Sequence, residues 1–323
     1  MIRLVLFVVA LMFVVRADPV GNANAVPAAP PEQARKLIAI TFDDAPRAPG
    51  AFYTPAQRAE KLIAVMREAR VTQAAFFVNS GRVNIGDGDE ARIAAYVAAG
   101  HVIANHTANH PRLSGTSAEA YLADIDVGEK WLKPRAGYRP WFRYPFLDEG
   151  GRDKVKRDAI REGLKARGLR NGYVTVDGSD WNMEALAVAA VKAGKTLDMD
   201  AFRDLYVETH LQSAEFTEAL TVRTLGRSAP QVLLLHETDI AALFLGDLIK
   251  ALRANGWEVV TADDAFADPI YQLAPDTPFA AGTLTEAMAW EKGITGPRWY
   301  DRNDMKVANP LFAQRVLHEN PAP

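Results

Sequence analysis

Between Lys36 and Ala267 short apolar runs alternate with longer stretches of helical spacing, and this rhythm is what most narrows the choice of fold. Leu37–Ile40, Ala74–Val78, His101–Ala104, Trp141–Phe142, Tyr173–Val176, Val232–Leu235 and Glu258–Val260 read as strands. A helix opens at Thr54-Pro55, an N-cap followed by a first-turn proline, and carries Leu62, Ile63, Val65, Met66 and Ala69 on helical spacing. Further helices are predicted over Glu90–Ala99, Ala118–Leu132, Lys154–Arg167, Met183–Ala193, Asp200–Leu225 and Ile240–Ala254. Such alternation implies a parallel sheet with helices outside it, an α/β fold. Roughly seven units over about 235 residues favour a (β/α) barrel with parallel strands over an open doubly wound sheet. No glycine-rich phosphate loop follows a strand, which argues against nucleotide binding.

The ends differ from this middle. Arg3, the apolar run Leu4–Val15 and the small-x-small Ala23-Asn24-Ala25 have the three parts of a signal peptide over residues 1–25. As a helix the apolar run reaches only about 18 Å against the roughly 30 Å of a bilayer core, so no stable membrane anchor is expected after cleavage. Residues 26–35, rich in Pro and Ala, read as a linker, 36–267 as the main domain and 268–323 as a C-terminal extension packed on it. A short helix is predicted over Leu284–Lys292, and Trp290 and Trp299 are expected to bury against the domain rather than form a sugar-binding surface. Export would place the protein in the periplasm or outside the cell.

Lys and Arg number 37 against 40 Asp and Glu, a net charge of -3 with no basic block, which argues against nucleic acid as a partner. The chain has no cysteine, so disulfides, thiolate metal sites and cysteine nucleophiles are all excluded. Any bound metal must be held by His, Asp or Glu. The polar residues that end the predicted strands supply such groups: Asp43-Asp44, His106 and His110, Arg143, Asp180 and His236. In a parallel barrel these ends open on one face, where they converge. If residues 106–110 form one helical turn, His106 and His110 project together; with an aspartate they make a His2Asp set. On an extended backbone Asp43 and Asp44 would point in opposite directions, one toward the metal and one free to take a proton. Arg143 would keep that carboxylate ionised, and Asp180 would fix the tautomer of His236 and favour its protonated ring, as suits a general acid. The loop Arg47–Tyr53 reads equally well as a plain connection or as the source of a sugar-stacking aromatic in Phe52 or Tyr53.

Five segments in this order resemble the polysaccharide deacetylase family, the nodulation-protein-B homology domain of carbohydrate esterase family 4. They are Thr41-Phe42-Asp43-Asp44-Ala45-Pro46, His106-Thr107-Ala108-Asn109-His110, Arg143-Tyr144-Pro145-Phe146, Asp177-Gly178-Ser179-Asp180-Trp181 and Leu234-Leu235-His236. The resemblance implies a distorted (β/α) barrel and a metal-dependent hydrolase that removes acetyl groups from carbohydrate. It implies Asp43 as general base oriented by Arg143, and Asp44, His106 and His110 as ligands of one divalent ion, zinc or else cobalt or nickel. It further implies the Phe146 backbone N–H as an oxyanion donor, His236 tuned by Asp180 as the acid, and Trp181 and Leu234 around the acetyl methyl. The chain departs from the family at Ala45, where glycine is usual, and at Phe146-Leu147, where Tyr-Gly is more frequent.

The leading reading is an exported amidohydrolase that releases acetate from N-acetylglucosamine units of peptidoglycan, chitin-like or exopolysaccharide chains. Within enzymes the alternative is an O-acetyl esterase acting on xylan or another glycan, or a hydrolase of small cyclic or formylated amides. The remaining alternative is a non-catalytic carbohydrate-binding wall protein, which would be expected to have lost a ligand or the base. None is lost here.

Overall fold

A computed structural model describes residues 35–84 and 87–319. The expected signal peptide, and the linker up to residue 34, lie outside the described residues. Ten strands are present among the described residues: β1 (Lys36–Ala45), β2 (Ala75–Val78), β3 (Val102–Asn105), β4 (Tyr138–Phe142), β5 (Asp148–Gly151), β6 (Arg170–Asn171), β7 (Val176–Asp177), β8 (Gln231–His236), β9 (Trp257–Val259) and β10 (Ala280–Ala281). The helices between and after them are α1 (Pro55–Glu68), α2 (Asp89–Ala98), α3 (Ala118–Leu132), α4 (Lys154–Ala166), α5 (Asp180–Lys192), α6 (Met199–Leu225), α7 (Asp239–Ala254), α8 (Ala262–Phe266), α9 (Leu284–Glu291) and α10 (Met305–Val316). Thr54 caps α1 in a reciprocal capping box with Gln57, with Pro55 in the first turn.

The main sheet is parallel, ordered β6-β4-β3-β2-β1-β8-β7, with β9 beside the start of β1. Its curvature follows from chain length. In a flat sheet the outer strands β6 and β7 would stand about 29 Å apart, six spacings of about 4.8 Å. The chain passes directly from Asn171 to Val176, which spans at most about 18 Å even when extended. The sheet therefore curls until its two edges approach, giving the distorted (β/α) barrel. The predicted single strand Tyr173–Val176 is replaced by this crossing: Gly172 N–H still donates to Phe142 on the β4 side (2.6 Å), whereas Thr175 N–H donates to Val232 on β8 (3.1 Å). Fully buried Ile38, Ile40, Phe42, Phe76, Leu233 and Leu235 on the strands pack with Leu62, Leu245 and Leu248 from the outer helices.

Four features have no counterpart in the sequence expectations: the short strand β6, the antiparallel pair β5–β10, the helix α8 and the helix α10. Through β10, residues after 268 pair with β5; Leu284 N–H donates to Val174 (2.8 Å) and Asp198 N–H to Val316 (2.9 Å). The aromatics of this region divide. Tyr300 is buried, but Trp290 and Trp299 are 37% and 57% exposed, against the expectation that they bury. Trp290 lies beneath the Arg298 guanidinium, whose charged head keeps that face solvated.

Residues 46–53, which follow β1, are held from behind by a buried ionic cluster. Arg58 on α1 is 1% exposed and donates to the carbonyls of Arg47 (2.7 Å) and Ala48 (3.0 Å) and to Asp239 (3.2 Å). Glu237 accepts from the Arg47 N–H (2.7 Å), Tyr96 Oη (2.8 Å) and Arg92 (3.3 Å), and Asp239 accepts from the N–H groups of Phe52 and Tyr53. Removing one partner leaves buried charge uncompensated, which typically costs about 3–5 kcal/mol. Arg58→Met is therefore expected to lower unfolding stability by about 3 kcal/mol in urea titration; a change within ~0.5 kcal/mol would mean the cluster does not hold the loop.

Candidate active site

Parallel pairing brings together groups far apart in sequence. Asp43 stands opposite His236 in the β1–β8 register, and Asn105, just before His106, stands opposite Phe142, just before Arg143. One open end of the barrel thus collects every strand-end group expected there. Asp43, Asp44, His106, His110 and His236 line a cavity of about 660 Å³, together with Trp181, Leu234, Phe146 and Leu147, while Arg143 and Asp180 are buried behind Asp43 and His236.

Asp43 and Asp44 do not diverge as extended backbone would require. Asp44 has φ 64°, a left-handed conformation that swings its carboxylate into the same cavity as that of Asp43. Their surroundings separate them instead. Asp43 accepts from Arg143 Nη1 at 2.7 Å, and Arg143, itself 1% exposed, is fixed by Thr41 Oγ1 (2.8 Å) and the Gly172 carbonyl (2.7 Å). Asp44 Oδ1 lies 3.0 Å from His110 Nε2 and 3.7 Å from His106 Nε2. Its neighbour Ala45 avoids positive φ, so the missing glycine brings no strain there.

The two histidines meet, but not on a helical turn. Residues 106–110 form an irregular loop with Thr107 at φ 64° and His110 at φ 57°. Polar side chains fix this shape. Asn105 Oδ1 accepts the Thr107 N–H (2.7 Å), Thr107 Oγ1 accepts the His110 N–H (2.9 Å), and Asp124 accepts the N–H groups of Ala108 and Asn109. Asn79 donates to the His106 carbonyl (2.6 Å). Asn79 and Asp124 carry no local signal because each acts on the backbone of another segment, whereas Asn105, two residues before Thr107, makes an Asx-type bond that its position next to His106 could have suggested. Gly128 on α3 leaves the space that Asn105 needs, since a Cβ there would lie 2.7 Å from Asn105 Oδ1.

Asp44, His106 and His110 offer ligand atoms that all lie within 4.8 Å of one another. Three observations fit a divalent cation. Asp44 Oδ1 is buried without a well-directed hydrogen bond, facing the Nε2 atoms of His110 and His106. His106 Nδ1 is 2.8 Å from the Arg143 carbonyl, so the proton belongs on Nδ1 and the Nε2 lone pair is free. Burial pushes His106 down to about 4, against the pull of Asp43, keeping the ring neutral and able to ligate. Burial alone would raise the Asp44 carboxyl, but the His110 contact and the neighbouring imidazoles hold it well below the carboxylate range.

Across the cavity, Asp180 at the start of α5 is fully buried and lies 2.6 Å from His236 Nδ1, and it also accepts the His236 N–H (2.8 Å). Burial opposes charge on both groups, yet the pair wins: Asp180 is lowered and His236 raised from their ordinary values. The ring is thereby fixed with Nε2 as the nitrogen Asp180 does not engage.

Phe146 and Leu147 both adopt left-handed backbone, at φ 60° and 50°. Leu147 thus occupies a conformation suited to the glycine usual at this position, while its side chain narrows the cavity. The Phe146 ring is 4.5 Å from the His110 ring and 51% exposed; Trp181 is 43% exposed. These two supply the cavity's exposed aromatic surface, whereas Phe52 and Tyr53 pack against the core and offer no stacking face there. Two further polar residues line the cavity. Burial raises Asp177 to about 6. Asn303, on a short turn ahead of α10, accepts from Ser179 Oγ at 3.1 Å. No sequence signal marks Asn303, which lies 67 positions beyond the last motif residue, His236.

A family model described as polysaccharide deacetylase matches residues 31–169, a span that includes Asp43, Asp44, His106, His110 and Arg143. The peptidoglycan-N-acetylglucosamine deacetylase of Bacillus cereus is 31% identical over 182 residues, covering 52% of this chain and 73% of that protein. Among solved structures, the chitin deacetylase of the fungal pathogen Colletotrichum lindemuthianum aligns with a TM-score of 0.50 at 18% identity, over 77% of this chain and 93% of that one, a likeness of fold. A family 4 carbohydrate esterase from Streptomyces lividans aligns with a TM-score of 0.47 at 17% identity, over 72% of this chain and 96% of that one.

Proposed function

We propose, on the premise that the chain belongs to the polysaccharide deacetylase family, that it is a metal-dependent hydrolase releasing acetate from N-acetylglucosamine units of a polysaccharide or oligosaccharide. The observation that carries this reading is the order of groups across one cavity: Asp43 on Arg143, then Asp44 with two imidazoles, then His236 on Asp180. A divalent ion held by Asp44, His106 and His110, zinc or else cobalt or nickel, would supply Lewis-acid polarisation of the acetyl carbonyl and acidify a water.

The remaining steps belong to this chain's side chains. Asp43, held by Arg143 at 2.7 Å, takes a proton from the attacking water. The Phe146 backbone N–H donates to the oxyanion that forms at the carbonyl. His236 gives its proton to the departing nitrogen, because an amide anion is too basic to leave unprotonated. Trp181 and Leu234 flank the acetyl methyl. We assign these roles within a domain spanning residues 36–267, with 268–323 as an extension that lends Asn303 to the cleft. A glycan substrate of this kind lies outside the cytoplasm, consistent with an exported chain carrying a leader over residues 1–25.

Acetate and free amine counted together test the reaction. N-acetylglucosamine oligomers should yield one new amine per acetate. Acetate from acetylated xylan alone, with no amine from the oligomers, would instead favour the ester reading. Asn303 adds a finer expectation. Loss of one neutral hydrogen-bonding group costs about 0.5–1.5 kcal/mol, so Asn303→Ala should raise KM about twofold to tenfold while leaving kcat nearly unchanged in steady-state assays.

A further inference from the structure

The acyl pocket continues into a second lobe of about 610 Å³, bordered by Arg47, Arg82, Trp181 and Glu184. Its arginines are not satisfied independently. Arg47 Nη1 lies 2.8 Å from Asp44 Oδ2, and Arg82 Nη1 lies 3.6 Å from Asp44 Oδ1, so two guanidinium groups share one carboxylate. On the other side of Phe146, Arg112 lays its guanidinium 4.0 Å over the ring and is 54% exposed, with Asp148 4.0 Å away.

Asp44 is also the carboxylate that the proposed metal requires. Even without an ion one carboxylate leaves the two arginines a net charge of about +1, a dication on Asp44 would raise that excess, and arginine cannot relieve it by losing its proton. Asp43 offers no relief, because Arg143 already neutralises it. Glu184, the acidic group on the wall of the second lobe, accepts from the Ile240 N–H (3.2 Å), and burial followed by the charge of Asp239 raises it to about 7. The lobe therefore presents positive charge to whatever enters beside the acetyl group, and a cleft of one sign concentrates ligands of the other.

We infer that the cleft is built for an N-acetylated glycan bearing carboxylates, with Arg82 and Arg47 binding a carboxylate on the sugar next to the one that reacts. This rests on the deacetylase reading and narrows its substrate class from neutral to acidic chains. Arg112 extends the same preference to the opposite side of the reacting unit.

The test compares binding of two tetrasaccharides to the full chain in chelator by calorimetry. One alternates N-acetylglucosamine with N-acetylmuramic acid carrying free lactyl carboxylates; the other is the neutral N-acetylglucosamine tetramer. The acidic tetramer should bind more tightly, with the difference shrinking between about 0.01 M and 1 M salt as the Debye length falls from ~30 to ~3 Å. Arg82→Gln should weaken acidic binding about threefold to fivefold and leave neutral binding unchanged. Lys250→Gln, which removes the same charge from the exposed face of α7, should change neither. Asp44→Asn should strengthen acidic binding, since it frees both arginines, and asparagine tolerates the left-handed backbone at that position.

Equal affinity for the two tetramers, an Arg82→Gln loss shared by both, or weaker acidic binding in Asp44→Asn would overturn the inference. Acetate release by the zinc-loaded chain is read separately. Its absence from both tetramers would remove the deacetylase reading, whereas the binding comparison would still decide the charge preference.

Discussion

Asp43→Asn lowers kcat by about 10²–10⁴, the usual loss when a general base is removed. The substitution keeps the side chain's shape and removes only its charge and basicity. Asp43 is not one of the three residues that converge as a metal set, so bound zinc per chain should stay the same. KM should move little, because proton removal is made only in the transition state. Some stability is lost as well, since Arg143 at 1% exposure gives up its charged partner. Activity is therefore compared at a temperature where circular dichroism shows both proteins folded. Near-normal turnover by folded Asp43→Asn would remove Asp43 from the role of base.

The acid side of the reaction gives the second large effect and distinguishes leaving groups. His236→Gln should cost about 10²–10⁴ in kcat on an N-acetyl substrate. On an aryl acetate, whose phenolate departs without a proton, the same variant should lose far less. Equal losses on both would mean His236 does not protonate the leaving group. The Asp180 partner predicts a pH effect of known sign. Its anion raises His236, so the protonated acid survives to higher pH in the wild type. Asp180→Asn withdraws that support while burial, which disfavours charge, remains. The pKa of His236 falls, and the alkaline limb of the kcat profile moves to lower pH. A limb that stays in place, or moves up, would contradict the pairing as the source of the shift.

Much of this site was legible in the sequence because parallel strands end on one face. Once Asp43, His106, Arg143 and His236 are placed at strand ends, their convergence follows from topology, and the β1–β8 register sets Asp43 beside His236. Local backbone was not legible in the same way. Extended geometry would send Asp43 and Asp44 apart, and a helical turn would align His106 with His110. Left-handed residues at 44, 107 and 110 instead bring these side chains together; Asn105 helps through a local bond to the Thr107 N–H, but Asp124 acts from α3, where no local pattern announces it. Asn303 and the β5–β10 pair depend on contacts between segments more than a hundred residues apart, beyond the reach of periodicity. The split of Tyr173–Val176 has the same origin, because only the closing of the barrel decides where that run changes partner.

The most direct measurement is a zinc titration of the chelated full chain with acetate release from N-acetylglucosamine oligomers followed at each step. The account predicts negligible release without metal, a rise in proportion to added zinc, and a plateau at one ion per chain. His110→Ala should abolish tight binding and release together. Full release from the chelated chain, or zinc bound stoichiometrically with no acetate or amine produced, would contradict a metal-dependent deacetylase built on Asp44, His106 and His110.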